Sequence, residues 1–339
     1  MGNSALTITV VIPVYNVAPY VERCMKSVMG QTMPAAECII VDDATPDDSI
    51  ERCQRLINEY SGPTRFIIHH HEKNQGLSVA RNSGMDAATS DYIYFLDGDD
   101  EMTYDCLEKL AAPIVSDYSI EMVMGGFRTE NIATGDSKHE WNQQIENSPL
   151  ELQSNEDVQK WYYHVKIPRP VYVWNKLLKL SFVKTNHLYN KEGVLGEDLL
   201  WTYYLIGCLR HTVIIHDETY VYYSRPDSIV SNTKHEEMIR YYGSIHREIA
   251  DQINPGKRKE EAERWVLNFC RYYIDAYDNT DYQYAYYNYY QKMKEAKNQT
   301  GAYILKVTHY MKESSVGRTL FRGAMKLRVL VALLFRFFY

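Results

Sequence analysis

Four short apolar runs alternate with three amphipathic stretches across the first hundred residues, and that alternation leaves few folds open to the chain. Residues 6–13 (LTITVVIP) are rich in β-branched side chains, as a buried strand requires, and Pro19 with YVERCMKSVMG opens and closes a helix. The run 38–41 reads as a second strand that ends in Asp42 and Asp43, after which Pro46, Asp47, Asp48 and Ser49 start a second helix. Residues 65–71 read as a third strand, 77–88 as a third helix and 92–96 as a fourth strand. This spacing predicts right-handed βαβ crossovers and an α/β fold, Rossmann-like, with a mostly parallel central sheet flanked by helices. Such sheets bind ligands beyond the carboxyl ends of their strands. Each strand here carries polar residues at that end: Tyr15 and Asn16, then Asp43, then Asn74 and Gly76, then Asp97 and Asp99. Folding alone does not call for that coincidence.

The fourth strand ends in FLDGDD, with three carboxylates at Asp97, Asp99 and Asp100. Side chains alternate along an extended segment, so Asp97 and Asp99 share one side, where hard oxygens can hold Mg2+ or Mn2+ against a phosphate. Gly98 lets the backbone come close. By itself an acidic turn also reads as a solvated loop or a helix N-cap. A diphosphate beside such acids costs roughly 4 kcal/mol per close charge pair at an effective dielectric of about 20, and a divalent cation inverts that sign.

Taken in order, VVIPVYN, VDDATPDDS, NQGLSVARNSGMDAA and FLDGDD resemble the nucleotide-sugar-binding half of family 2 glycosyltransferases, inverting enzymes of GT-A fold. The resemblance implies that Pro13 and Tyr15 frame the base, with Asn16 beside them among the nucleotide-sugar-binding residues, and that Asp43 holds the uracil imide. It places Asn74 and Arg81 near base and diphosphate and Asp97 and Asp99 at ribose and metal, with Gly76 and Gly98 as further nucleotide-sugar-binding candidates. Ala44 and Thr45 stand where glycine and serine are common, and Gly98 where serine is common; neither change removes a ligand. The chemistry of the residues agrees. A carboxylate that accepts an imide N–H selects uracil or thymine over cytosine, whose ring nitrogen has no proton there, and an aromatic ring offers a stacking face.

Downstream, GVLGEDLLW sets Glu197 and Asp198 just ahead of an apolar run. An acidic helix N-terminus explains such a pair, and so does the ED motif of family 2, which the stretch resembles and in which the aspartate is the general base. By that resemblance Asp198, with Glu197 beside it, takes the proton of an acceptor hydroxyl that attacks the anomeric carbon and inverts it. Partial burial beside Trp201 would strengthen so weak a base. VYVWNKLLKLSFV resembles a segment of capsule and exopolysaccharide glycosyltransferases of bacteria, with Trp174 a sugar platform or core residue and Lys176 a phosphate contact or surface residue. YYSRPDSIV resembles a segment that closes on the pyrophosphate, which makes Arg225 and Ser228 candidates.

Domain organisation follows from changes in pattern. Residues 1–232 read as the GT-A domain, with a nucleotide-sugar half to about 120 and an acceptor half over 121–232. Residues 233–313 are helical in pattern and dense in tyrosine, either as packing stripes or as a sugar-binding surface. The segment 314–339 holds no acidic residue, while Arg318, Arg322 and Lys326 recur every fourth position among Leu320, Ala324, Leu327, Val331, Leu334 and Phe338. That is a basic amphipathic helix. Its apolar centre is shorter than the roughly 20 residues that span a bilayer, so it lies on a membrane surface or docks on the protein.

A net charge of −7 argues against a general nucleic-acid surface. Six scattered cysteines form no zinc pattern and suit reduced thiols, and no secretory leader precedes the first strand. His69, His70 and His71 cannot all face one metal in an extended run and read as packing and rim. The expected protein is therefore a cytoplasmic, metal-dependent glycosyltransferase, peripheral at the inner face of the cell membrane. Its expected partners are a UDP-sugar and a glycan or lipid-linked saccharide acceptor, with no nucleic acid and with room for a homo-oligomer. Two other classes compete. A nucleotidyltransferase would carry a glycine-rich phosphate loop after the first strand, which VVIPVYN lacks, and an inactive sugar-binding relative would not need both acid sets.

Overall fold

In a computed structural model, residues 6–139, 149–164, 171–226, 235–254, 265–266, 269–270, 273 and 279–312 are described. Ser228 and the basic segment 314–339 lie outside them. The chain divides into two compact units, Met1–Asn232 and Thr233–Tyr339.

In the first unit β1 (Ile8–Val14), β2 (Glu37–Asp42), β3 (Arg65–His70) and β4 (Tyr92–Phe95) alternate with α1 (Val21–Met29), α2 (Ser49–Glu59) and α3 (Leu77–Ala87). β1 pairs in parallel with β2 and β4, and β2 with β3, so the four carboxyl ends lie along one edge. Every residue of β1 is buried, because helices cover both faces. Val10, Ile12 and Val14 pack with Cys24, Met25 and Val28 of α1 and with Leu107 and Leu110 of α4 (Cys106–Ser116). Val11 turns the other way, toward Ala80 and Met85 of α3 and Trp201 and Leu205 of α7 (Glu197–Cys208). Gly84 lets α3 settle on that face, since a Cβ there would lie 2.3 Å from Val11 Cγ1.

Beyond β4 the sheet becomes mixed. Its order is β3-β2-β1-β4-β9-β6-β10-β5, with β9 (Lys176–Lys179) antiparallel to both β4 and β6 (Met122–Asn131). β10 (Thr212–Ser224) runs parallel to β6, β5 (Glu101–Met102) antiparallel to β10, and the short β7 (Ser137–His139) and β8 (Leu150–Leu152) antiparallel to β6 and β10, with α5 (Asn155–His164) and α6 (Leu180–Thr185) preceding α7 in the chain. The strand–helix rhythm therefore accounts for the parallel half. β9 is only four residues long, and its partners, not its own pattern, set its direction.

β9 enters the sheet at the carboxyl end of β4, where Leu177 pairs with Tyr94. Just ahead of it Asn175 is fully buried with φ 55°, a conformation asparagine tolerates better than most residues. Asn175 Nδ2 donates to the carbonyls of Gly125 and Gly126, each at 2.9 Å. Its Oδ1 accepts from Thr219 Oγ1 at 2.7 Å and from Tyr94 Oη at 3.3 Å. One side chain thus ties β4, β6 and β10 together where the β6–β10 register shifts between Ile214, Glu218 and Tyr220.

The second unit contains helices His235–Gln252, Thr280–Glu295 and Gln299–Met311. Asn279 caps the second of these, its side chain accepting from the N–H groups of Asp281 and Tyr282. Tyr282, Tyr289 and Tyr273 are at most 1% exposed and pack around Phe269, so these tyrosines build a core, while Tyr287 stays exposed. Among the described residues no helix is long and apolar enough to cross a membrane. All six cysteines are free thiols.

Replacing Asn175 with Ala removes a partner from two buried carbonyls and two hydroxyls and puts a less tolerant residue at positive φ. The expected loss is roughly 3 kcal/mol, read as a lower urea midpoint by tryptophan fluorescence.

Candidate active site

The loops at the carboxyl ends of β1 and β2 are fastened to each other. Asp47 Oδ2 accepts from the N–H of Ala18 at 2.8 Å, while Oδ1 accepts from Thr45 Oγ1 at 2.7 Å and Ser49 Oγ at 2.5 Å. Thr45 Oγ1 also takes the N–H of Asn16 at 2.8 Å. These hydrogen bonds hold the Asp47 carboxyl below its ordinary range against the opposing effect of burial. Asn16 and Ala44 adopt positive φ in these loops, at 55° and 53°. Tyr15, on the β1 loop, is 47% exposed and offers an open ring.

Asp43 sits beneath the third loop, 2% exposed. Its Oδ1 accepts from the N–H of Gln75 and its Oδ2 from the N–H of Gly76, each at 2.8 Å. Gly76 has φ 92°, which a side chain would oppose. His71 Nδ1 lies 2.7 Å from the same Oδ1. Asn74 is exposed on the rim of this loop.

The fourth loop carries the acids Asp97, Asp99 and Asp100. Gly98 brings this turn against β1: a Cβ there would stand 2.8 Å from the carbonyl of Pro13. Asp100 is buried and faces away from the other two in its bonding, accepting from Tyr220 Oη at 2.7 Å and from the N–H of Tyr223 at 2.8 Å. Burial, then the charges of Asp99 and Asp97, raise its carboxyl well above the usual range. It acts as a bracket between the loop and β10. Arg23 adds another, donating to the carbonyl of Asp99 at 2.8 Å, pairing with Glu101 at 2.6 Å and lying 3.5 Å over the Tyr223 ring.

Asp97 and Asp99 each meet an arginine. Arg225 Nε and Nη2 reach Asp99 Oδ2 at 2.9 and 2.7 Å, and the guanidinium lies 4.8 Å over the Tyr20 ring. Burial and the Asp97 charge still leave the Asp99 carboxyl raised. Asp97 Oδ1 accepts from Arg81 Nη2 at 2.8 Å.

Arg81 is the hub. It projects from α3, is 1% exposed, and its Nη1 reaches Glu197 Oε1 at 2.9 Å and Asp198 Oδ1 at 3.2 Å at the start of α7. Three carboxylates from two distant stretches therefore share one buried guanidinium, which stays protonated among them. Asp198 keeps a side-chain exposure of 29%. Burial first, and the neighbouring Glu197 second, raise its carboxyl well above the usual range against the pull of Arg81. Trp201 turns into the core instead, its Nε1 donating to the carbonyl of Leu188 at 3.0 Å.

The WNK stretch is placed differently. Trp174 has both faces covered, stacked on Tyr172 at 3.7 Å and on Tyr220 at 4.3 Å, so it packs the core and presents no platform. Lys176 is fully buried, its Nζ donating to the carbonyl of Tyr172 and lying 3.9 Å from that ring's centre. Loss of solvent lowers its ammonium well below the usual value. Neither the surface nor an open phosphate pocket is its position.

Among the described residues no three His, Cys, Asp or Glu side chains converge as a ready metal cage. Asp97 and Asp99 nonetheless suit a hard cation that takes one or two carboxylates and fills its shell with phosphate and water. The two Arg225 bonds to Asp99 at 2.9 and 2.7 Å fall on Oδ2. Reading the sequence missed His71, Asp47 and Asn175 as site residues. Alternation along the HHH run separates His71 from His70, but only the partners on β2 and α3 give it a role.

Residues 9–176 match the family described as Glycosyl transferase family 2. Glycosyltransferase GlyA of Streptococcus pneumoniae is 35% identical over 128 residues, 38% of this chain and 18% of that protein. Uncharacterized glycosyltransferase EpsJ of Bacillus subtilis is 27% identical over 224 residues, 66% of this chain and 62% of that protein. Both matches thus span less than two thirds of those relatives' lengths. A crystal structure of S. aureus TarS 1-349 in complex with UDP-GlcNAc superposes with TM-score 0.70 at 16% identity, covering 95% of this chain and 92% of that one. At that identity it establishes a shared fold.

Removing the Arg81 charge leaves Asp97, Glu197 and Asp198 facing one another. Arg81→Met is expected to cost about 3 kcal/mol in urea unfolding. Arg81→Lys recovers only part of that, because an ammonium cannot fork toward two sides as a guanidinium does.

Proposed function

We propose that this chain, whose residues 9–176 match Glycosyl transferase family 2, transfers a sugar from a UDP-sugar, with inversion, to a hydroxyl of a glycan or lipid-linked saccharide in surface polysaccharide synthesis. The observation that carries this reading is the Arg81 bridge. It holds Asp97, on the donor side, and Asp198, the candidate base, on opposite nitrogens of one guanidinium at 2.8 and 3.2 Å. A leaving diphosphate and an attacking hydroxyl need acids of those two kinds in one site.

In this reading the base stacks on Tyr15 and its imide proton goes to Asp43. TarS, crystallised with UDP-GlcNAc, has the same fold and supports a nucleotide-sugar donor. Asp97 and Asp99 would hold a divalent cation, which when bound neutralises the diphosphate and stabilises the charge on the departing UDP. Arg225, close to Asp99, supplies a second positive charge on that side. The acceptor oxygen attacks the anomeric carbon, its proton passes to Asp198, and the bond to the phosphate oxygen breaks with its electron pair leaving on UDP. The raised proton affinity of Asp198 suits a general base, which gains efficiency as its pKa approaches the working pH. The basic amphipathic pattern of 314–339 supports contact with an anionic membrane surface, where a lipid-linked acceptor would be found.

Asp198→Asn should keep UDP affinity and lower kcat about 100- to 10,000-fold; full transfer by that variant would reject Asp198 as the base. Chelation with EDTA should abolish transfer and added Mn2+ restore it, whereas undiminished transfer in EDTA would reject the metal role of Asp97 and Asp99.

A further inference from the structure

His71 joins three elements through one imidazole. It follows β3, its backbone N–H donates to the carbonyl of Asp42 at 2.9 Å, its Nδ1 lies 2.7 Å from Asp43 Oδ1 after β2, and its Nε2 lies 2.9 Å from Ser83 Oγ on α3. The His71 and Asp43 side chains are 4% and 3% exposed. A histidine placed only for packing needs neither hydrogen bond.

We propose that His71 is a positioning residue for base recognition: it holds Asp43 as a pure hydrogen-bond acceptor and so sets a preference for a base that donates an imide proton. This rests on the uridine reading of Asp43 given above. An ionised carboxylate only accepts, so Nδ1 carries a proton toward Asp43, while Nε2 meets the Ser83 hydroxyl, which can donate or accept.

Asp43 then has three donors from the protein. The N–H of Gln75 and His71 Nδ1–H take Oδ1, and the N–H of Gly76 takes Oδ2. A carboxylate offers about four lone-pair directions, so the one left open lies on Oδ2. Only a donor can fill it. Uracil presents its imide N–H; cytosine presents a bare ring nitrogen and would set lone pair against lone pair. Near-complete burial sharpens the choice, because little water can relieve a mismatched pair. Without His71, Oδ1 keeps only the Gln75 N–H and the carboxylate is held less firmly, which weakens the distinction between the bases. Ser83 lies two residues beyond Arg81 on the same helix, so the imidazole also fixes the base loop to the helix that carries the hub of the site.

The test is calorimetric titration of the full chain with UDP and with CDP, divalent cation present, for the wild type, His71→Phe, His71→Asn and Asp43→Asn. His71→Phe is expected to lower the ratio of UDP to CDP affinity about tenfold, the worth of one hydrogen bond to a charged group. His71→Asn, which keeps a donor near the Nδ1 position, should hold the ratio within about threefold of wild type. A merely structural histidine would weaken both nucleotides alike. An unchanged ratio in His71→Phe, with the ratio lost in Asp43→Asn, overturns the inference and leaves the uridine reading standing. A ratio unchanged in Asp43→Asn, or a wild type that does not prefer UDP, rejects the uridine reading and the inference with it. Should circular dichroism show His71→Phe unfolded, Ser83→Ala takes its place: a fall of about threefold supports the inference, and an unchanged ratio overturns it.

Discussion

A single buried cation holds this site together. Arg81 pairs with Asp97, Glu197 and Asp198 at 2.8, 2.9 and 3.2 Å, and without it three carboxylates would crowd a poorly solvated space. The arrangement is possible because α3 lies close on the sheet at Gly84 and so delivers the guanidinium to the level of the strand ends. The same guanidinium makes α7 depend on α3, since the first turn of α7 supplies two of the three acids. Stability and chemistry are coupled here: the group that permits the acids to approach also opposes the rise in proton affinity that burial gives Asp198.

Around that hub the strand-end loops are braced by short polar links instead of by apolar packing. Asp47 fastens the β1 and β2 loops, Asp43 fastens β2 to the loop after β3, and Asp100 fastens the β4 loop to β10. Asn175 does the same for the strands beyond β4. Each link spans segments far apart in the chain, and each satisfies backbone groups that loops at a sheet edge would otherwise leave exposed to competition from water. The outcome is a set of loops held in place ahead of any ligand, which lowers the ordering cost of binding.

Some of this was legible in the residues themselves. The β-branched runs, the helix starts at Pro19 and at Pro46 to Ser49, and the polar residues at each strand end follow from local preferences and periodicity, and the parallel half of the sheet agrees with them. The mixed half did not show itself, because β9 is short and takes its direction from β4 and β6. Trp174 and Lys176 show a similar limit: a residue type fit for a sugar face or a phosphate proves to be enclosed, Trp174 between two tyrosine rings and Lys176 beside one of them. His71 shows the reverse, a residue that looked like rim and proves to be hydrogen-bonded on both nitrogens.

Local pattern alone specifies which segments of the first hundred residues are strands and helices, which edge of the sheet carries polar groups, and which acids stand at that edge. Those properties depend on neighbours a few residues away, and a linear pattern records them. Only the tertiary structure decided that one arginine serves acids on two distant stretches, that Asp99 meets Arg225, and that Asp43 is held by an imidazole and two backbone N–H groups. Hydrogen bonds and ion pairs act over about 3 Å whatever the separation along the chain, so their partners are chosen by the fold.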